Sequence, residues 1–179
     1  RPHGRRGHDR HAGGQEGDQD SVAGFFFFAG KLTPLTHATH GLSADNTNPA
    51  EISFSASGDV LVVTEKDTSV IDTFTVDNDG SIDDTKHFQS AGQTPFGFAF
   101  RGRDLLVSEA FGGATDASAA SSYDLDDRGD LEVTSASVPT TESSACWLVV
   151  TDNGRFAYVA NTGSGTISSY QIATVGALS

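Results

Sequence analysis

A step of the form Gly-x-Leu or Gly-x-Ile recurs at intervals of 47 to 50 residues, as Gly30-Lys-Leu32, Gly80-Ser-Ile82, Gly129-Asp-Leu131 and Gly176-Ala-Leu178. Three further segments repeat between these steps. Pro49-Ala-Glu-Ile-Ser-Phe-Ser55 aligns with Pro95-Phe-Gly-Phe-Ala-Phe-Arg101 and Ala145-Cys-Trp-Leu-Val-Val-Thr151. Leu61-Val-Val-Thr-Glu-Lys66 aligns with Leu105-Leu-Val-Ser-Glu-Ala110 and, slightly offset, with Ala157-Tyr-Val-Ala-Asn-Thr162. Ile71-Asp-Thr-Phe-Thr-Val76 aligns with Ala120-Ser-Ser-Tyr-Asp-Leu125 and Ile167-Ser-Ser-Tyr-Gln-Ile172. Self-similarity at a fixed period confines the chain to architectures built from stacked copies of one unit.

The last copy shows what the unit is. Val149-Val150 runs into the turn cluster Asp152-Asn153-Gly154, Phe156-Ala-Tyr-Val159 follows, and Asn161-Thr-Gly-Ser-Gly165 breaks the chain before a third alternating run. That grammar predicts three antiparallel strands, spaced too closely for a helix between them. With the Gly-x-Leu strand as a fourth, the unit has the length of a β-propeller blade. A sandwich has no reason to repeat its sequence at this period, and solenoid coils are shorter. Abundant Gly, Ser, Thr and Asp with no Met agree with an all-β chain. We therefore expect a β-propeller of four-stranded antiparallel blades with about three and a half blades present. They comprise the fourth strand of one blade, then repeats starting near residues 49, 95 and 145. Phe54, Val62, Phe74, Phe98, Phe100, Leu106, Tyr123, Val149, Tyr158 and Tyr170 are expected to pack between blades.

Residues 1–21 have few apolar side chains and read as a disordered tail or a scar joined to the propeller at 22–179. His3, His8 and His11 in that tail suit only adventitious metal binding. Val22 to Phe28 reads as a strand buried on both faces because of its four consecutive Phe, followed by a turn at Ala29-Gly30-Lys31. Thr36 to Asn48 reads as a polar loop. His37-x-x-His40 within it has the spacing of a ligand pair that Asp45 or Glu51 could complete, yet a solvated loop explains it, and no metal is expected. The Asp-rich stretches Asp77-Asn-Asp-Gly80 and Asp124-Leu-Asp-Asp-Arg-Gly129 lack the closing Glu of a calcium loop and read as turns.

The formal charge is −13, and the first 22 residues contribute nothing to it. Such an acidic chain repels phosphate backbones, so nucleic acid is not an expected partner. Cys146 is the only cysteine, which excludes an intrachain disulfide, and its apolar neighbours predict a buried side chain. No apolar run reaches the length of a membrane span. The chain begins at Arg1 without the pattern of a secretory leader, so its N-terminus reads as incomplete and its compartment as cytoplasmic or secreted.

Tyr158-Val-Ala-Asn161, followed by Thr-Gly-Ser-Gly-Thr-Ile-Ser-Ser-Tyr170, resembles the Tyr-Val-Thr-Asn repeat of the seven-bladed propeller lactonases. That family includes 6-phosphogluconolactonase-like and carboxymuconate cyclase-like proteins, and related surface-layer repeat propellers share the motif. The segment Pro49 to Val76, with Phe54-Ser-Ala-Ser-Gly-Asp59 followed by Leu61-Val-Val-Thr-Glu-Lys66, is similar to bacterial members, as is the segment Thr94 to Gly113. The resemblance covers about Val22 to Ser179. It implies either hydrolysis or formation of a sugar- or muconate-derived lactone without a cofactor, or a non-catalytic scaffold that binds a protein or ligand, secreted or surface-associated. Seven blades at this period need roughly 330 to 350 residues, so further blades or another chain are expected to close the ring.

Strand ends of a propeller converge on its central channel. Glu65, Glu109 and Asn161 fall at equivalent places after the second strand of successive repeats, and Asn161 is expected to face the channel. Glu65 or Glu109 is the candidate base for activating water, and Lys66, Arg101 or Arg103 the candidate cation for a developing oxyanion or the substrate. Both carboxylates could equally close loops onto backbone amides. His87, in Lys86-His-Phe88, reads as a surface histidine. No nucleophile elbow, catalytic triad or phosphate-cradling loop is present.

Overall fold

A computed structural model describes residues 20–179, so the expectations for the preceding tail and its histidines lie outside the described residues. Four antiparallel sheets follow one another along the chain. The first pairs β1 (Ser21–Phe28) with β2 (Lys31–Gly41). The second is ordered β3 (Pro49–Phe54), β4 (Val60–Glu65), β5 (Val70–Val76), β6 (Ile82–Gln89). The third is ordered β7 (Pro95–Arg101), β8 (Asp104–Glu109), β9 (Ala119–Leu125), β10 (Leu131–Pro139). The fourth holds β11 (Ala145–Val150), β12 (Phe156–Asn161) and β13 (Thr166–Gln171), and Leu178 then bridges back to Ile172. This is a partial β-propeller, with two complete blades between two shorter sheets.

The turns are where the sequence placed them. Gly80 and Gly129 open the fourth strands with φ of 85° and 75°, a left-handed conformation that costs an L side chain energy. Asp77 O accepts from Gly80 N at 2.8 Å, and Asp126 O from Gly129 N at 3.0 Å, so these acidic stretches are tight turns. Apolar side chains of facing sheets pack on one another. Val22 and Leu42 meet Val63 and Phe74. Val60, Val62 and Ile71 meet Phe98, Leu105, Val107 and Tyr123. Leu106 and Ala120 meet Leu148, Val159 and Tyr170. Each sheet thus hides a face that it could not bury alone.

Three expectations are corrected. Phe25 to Phe28 are exposed, because β1 pairs only with β2 and no second layer covers it. Thr36 to Gly41 continue β2 opposite Ser21 to Ala23, so the loop shrinks to residues 42–48. Phe54, Val149 and Tyr158 are exposed rather than packed between blades: Val149 and Tyr158 lie on the outer face of the fourth sheet, and Phe54 borders a cavity beside the two-stranded first sheet, which does not cover it.

A hydroxyl on the second strand ties each complete blade to the next. Thr64 Oγ1 donates to Phe96 O at 2.6 Å, and Ser108 Oγ lies 2.8 Å from Cys146 O. The ties work because the first strands bulge there, between Pro49 and Ile52, Pro95 and Phe98, and Ala145 and Trp147. Gly97 makes the closest approach. A Cβ on it would sit 2.5 Å from Cys146 O and 3.0 Å from Trp147 Cα, backbone atoms that cannot swing aside. Gly97→Ala is accordingly expected to destabilise the chain by about 1–3 kcal/mol, read as a lower urea midpoint at unchanged slope.

Candidate functional site

Glu65, Glu109 and Asn161 occupy the same place in three successive sheets. Each ends a second strand opposite the first residue of the first strand, at Pro49, Pro95 and Ala145. All three are buried; small donors surround the two carboxylates, whereas Asn161 donates to hydroxyls and its Oδ1 is left without a partner among the described residues. The Glu65 carboxylate accepts from Ser43 N at 2.9 Å and from the hydroxyls of Ser43 and Thr68. Glu109 accepts from the Ser121 hydroxyl, from Ser137 Oγ at 2.7 Å and from the Gly92 amide. Asn161 Nδ2 donates to Ser168 Oγ at 2.8 Å and to Thr166 Oγ1 at 3.2 Å. Burial pushes the Glu109 pKa up, and the donors from Ser121, Ser137 and Gly92 only partly offset it. Glu65 and Glu109 each strap their blade to the loop that enters it. Neither carboxylate is open to solvent.

The candidate cations separate. Arg101 and Arg103 stand at the far end of the strands from Glu109. Six residues of β7 separate Pro95, opposite Glu109, from Arg101, about 20 Å at the rise of a strand. Arg101 is held by Asp104 at 2.7 Å and by Gly154 O at 3.1 Å, and Arg103 by both oxygens of Asp124 at 3.1 and 2.8 Å. Arg101 ties its blade to the next, Arg103 pairs within its own sheet, and neither stands beside Glu109. Lys66 stays at the other end. Its Nζ lies 5.0 Å from the centroid of the Phe96 ring, a cation–π contact, and among the described residues no carboxylate lies within ion-pair distance of it.

The first strands of the blades, β3, β7 and β11, approach one another while the outer strands splay apart, so their edge faces the propeller axis. The column Glu51, Gly97 and Trp147 lies on that edge, with Phe96 beside it. The Phe96 and Trp147 rings meet edge to face at 5.3 Å and 78°, and Trp147 is 53% exposed. Glu51 is half-buried, and its Oε2 accepts from Phe98 N of the next blade at 2.7 Å. Burial pushes its pKa above the ordinary value, and the Phe98 amide opposes that shift without cancelling it. Cys146, beside Trp147 on β11, is half-exposed rather than buried, with Sγ 3.1 Å from Thr162 Oγ1. Sequence reasoning weighed Glu51 only as a metal ligand. The available signal was its column: a carboxylate in an otherwise apolar first strand, aligned with Gly97 and Trp147.

No protein-family model matches the chain, and no curated protein sequence matches it. Solved structures do resemble it in fold. A functionally unknown protein from Desulfotomaculum acetoxidans superimposes with a TM-score of 0.70 at 18% identity, over 89% of this chain and 47% of its own. A Bacteroides uniformis protein provisionally assigned as a 6-phosphogluconolactonase gives 0.70 at 16% identity, over 90% and 47%. The periplasmic gluconolactonase of Pseudomonas aeruginosa gives 0.67 at 18%, over 89% and 46%. The chain therefore spans less than half the length of each of these proteins.

Proposed function

We propose that this chain forms part of a lactonase-type propeller that opens the ring of a sugar- or muconate-derived lactone, or closes it in reverse, at the axial edge of β3, β7 and β11. The observation that carries the reading is the position of Glu51. One oxygen is pinned by Phe98 N, the other is free to take a proton, and the side chain sits on an edge that also presents an aromatic pair and a lysine. A carboxylate with a raised pKa is a better base than an ordinary one near neutrality. Glu51 takes a proton from water as the water oxygen bonds to the lactone carbonyl carbon. The carbonyl oxygen gains negative charge, which Lys66 is placed to offset. The ring C–O bond then breaks, the ring oxygen leaves with the proton, and a hydroxy acid results. Glu65 and Glu109 hold the blades in this scheme and touch no substrate.

The rings of Phe96 and Trp147 supply a flat apolar face for the lactone ring. The likeness to proteins described as gluconolactonase and 6-phosphogluconolactonase supports a sugar-derived substrate. A second reading, a non-catalytic propeller that binds a ligand on the same edge, is favoured by Trp147, whose exposed ring suits binding as well as chemistry. Hydrolysis assays on a neutral and an anionic lactone separate the two. The enzyme reading expects saturable hydrolysis, with Lys66→Met lowering kcat at least about tenfold for both lactones, the loss of one charged contact to the developing oxyanion. Binding without turnover of either lactone would assign the edge to a binder.

A further inference from the structure

The second sheet contains a titratable cluster that its neighbour lacks. Asp72, on β5, is fully buried two residues beyond the partner of Glu65 in the ladder. Its Oδ1 lies 2.7 Å from Nδ1 of His87 on β6, an imidazole whose other edge reaches solvent, since the side chain is 44% exposed. No donor reaches its Oδ2, while the carboxyl groups of Asp72 and Glu65 are in hydrogen-bond contact. Two ionised carboxylates in contact inside a protein repel one another. A proton on Asp72 donated to Glu65 removes that repulsion and satisfies the orphaned oxygen at once.

We propose that Glu65, Asp72 and His87 form a proton-controlled latch on the loop spanning 42–48: one proton shared by the two carboxyls keeps Glu65 bound to Ser43, and its loss frees the loop. The Ser43 amide and hydroxyl are the groups that release, while the other end of the loop stays anchored, because Asp20 Oδ2 accepts from Thr47 N at 2.6 Å and from its hydroxyl at 2.7 Å. The loop leads directly into β3 and therefore into Glu51. Glu65 and His87 are the charges that act on Asp72. Lys86, adjacent on β6, reaches across to Asp130 at 2.9 Å, and Lys66 lies over Phe96. Asp67 takes a 3.4 Å contact from Asn48 Nδ2, and Asp45 is exposed on the loop itself.

Burial, with the Glu65 contact, pushes the Asp72 pKa up to about 7, and His87 opposes the rise. Burial also works against ionising Glu65, yet the hydrogen bonds from Asp72, Ser43 and Thr68 outweigh it and hold the Glu65 pKa below its ordinary value. The proton thus resides on Asp72. A folded-state pKa above the unfolded one means stability that is complete below the ordinary carboxylate range and is lost as pH climbs toward and past about 7. The third sheet is an internal control. Ser121 stands where Asp72 stands, and Glu109 is held by the hydroxyls of Ser121 and Ser137, which do not titrate.

Amide hydrogen exchange on the whole chain, corrected for intrinsic rates, tests the latch. Protection of the Ser43 amide is expected to fall at least about tenfold between pH 6 and pH 9, one unit or more on either side of the neutral region, while the Gly92 amide stays constant. In Asp72→Asn the side-chain amide donates to Glu65 at every pH, so Ser43 is expected to stay protected throughout. A flat Ser43 profile in the wild type, or the same fall in Asp72→Asn, would overturn the proposal. If Asp72→Asn does not fold, the carboxyl ¹³C shift of Asp72 in the wild type decides. A protonated carboxyl at pH 6 supports the latch, and an ionised one there overturns it.

Discussion

Glu51→Gln is expected to lower kcat/KM for lactone hydrolysis by roughly 10²–10⁴-fold, the usual contribution of a positioned general base. The substitution is sterically mild, and a glutamine oxygen still accepts the Phe98 amide, so the urea midpoint is expected to move little. What is lost is the capacity to take a proton. The wild-type rate is expected to fall on the acid side as Glu51 becomes protonated, and burial places that fall above the range of an exposed glutamate. Glu51→Gln loses this acid limb. A parallel measurement on Glu109→Gln separates site from scaffold, since any loss of rate there is expected to follow the loss of folded protein.

Glu109 carries the largest expected effect on stability. Glu109→Ala removes the acceptor for Ser121, Ser137 and the Gly92 amide and leaves a cavity among buried groups. Each stranded donor costs about 1–3 kcal/mol, and a total loss of about 3–5 kcal/mol is expected from the combination with the cavity. Gly92→Ala approaches the same cluster from the opposite direction. Its Cβ would lie 2.0 Å from Glu109 Oε2 and 2.5 Å from Ser137 Oγ, so the carboxylate would have to move off its donors to make room. Both variants are expected to unfold at markedly lower urea than the wild type. Equal midpoints for wild type and Glu109→Ala would remove the strap from the account.

The blades could be read from the sequence because each is written three times. Glycine steps, turn clusters and alternating runs fix strand order without any long-range information, and Val62, Phe74, Leu106, Tyr123 and Tyr170 are buried as the repeat requires. The failures sit where the repeat stops. Phe25 to Phe28 resemble a fully buried strand only if a neighbouring layer is assumed, and Phe54, Val149 and Tyr158 resemble core only if the array continues.

The site was harder to read for a related reason. Glu65, Glu109 and Asn161 drew attention by recurring, yet recurrence at a strand end marks a structural position: the two glutamates accept from the loops that enter their blades, and Asn161 donates to hydroxyls of β13. A ligand site on a propeller axis is built from positions that differ between blades, and the column Glu51, Gly97 and Trp147 is such a position. Arg101 and Arg103 are close to Glu109 in sequence and about a strand length from it in space. Hairpins separate near neighbours in this way, and only the register reveals it.

Trp147 is the only tryptophan in the chain, and it stands at the proposed site, so its fluorescence reports on that edge without a label. The decisive measurement is a titration of the chain and of Glu51→Gln with a sugar lactone, followed by tryptophan emission and by release of the hydroxy acid. The account predicts a saturable change in emission with similar midpoints for both proteins, and turnover only in the wild type. Constant emission over the concentrations at which hydrolysis saturates, or undiminished turnover by Glu51→Gln, would contradict it.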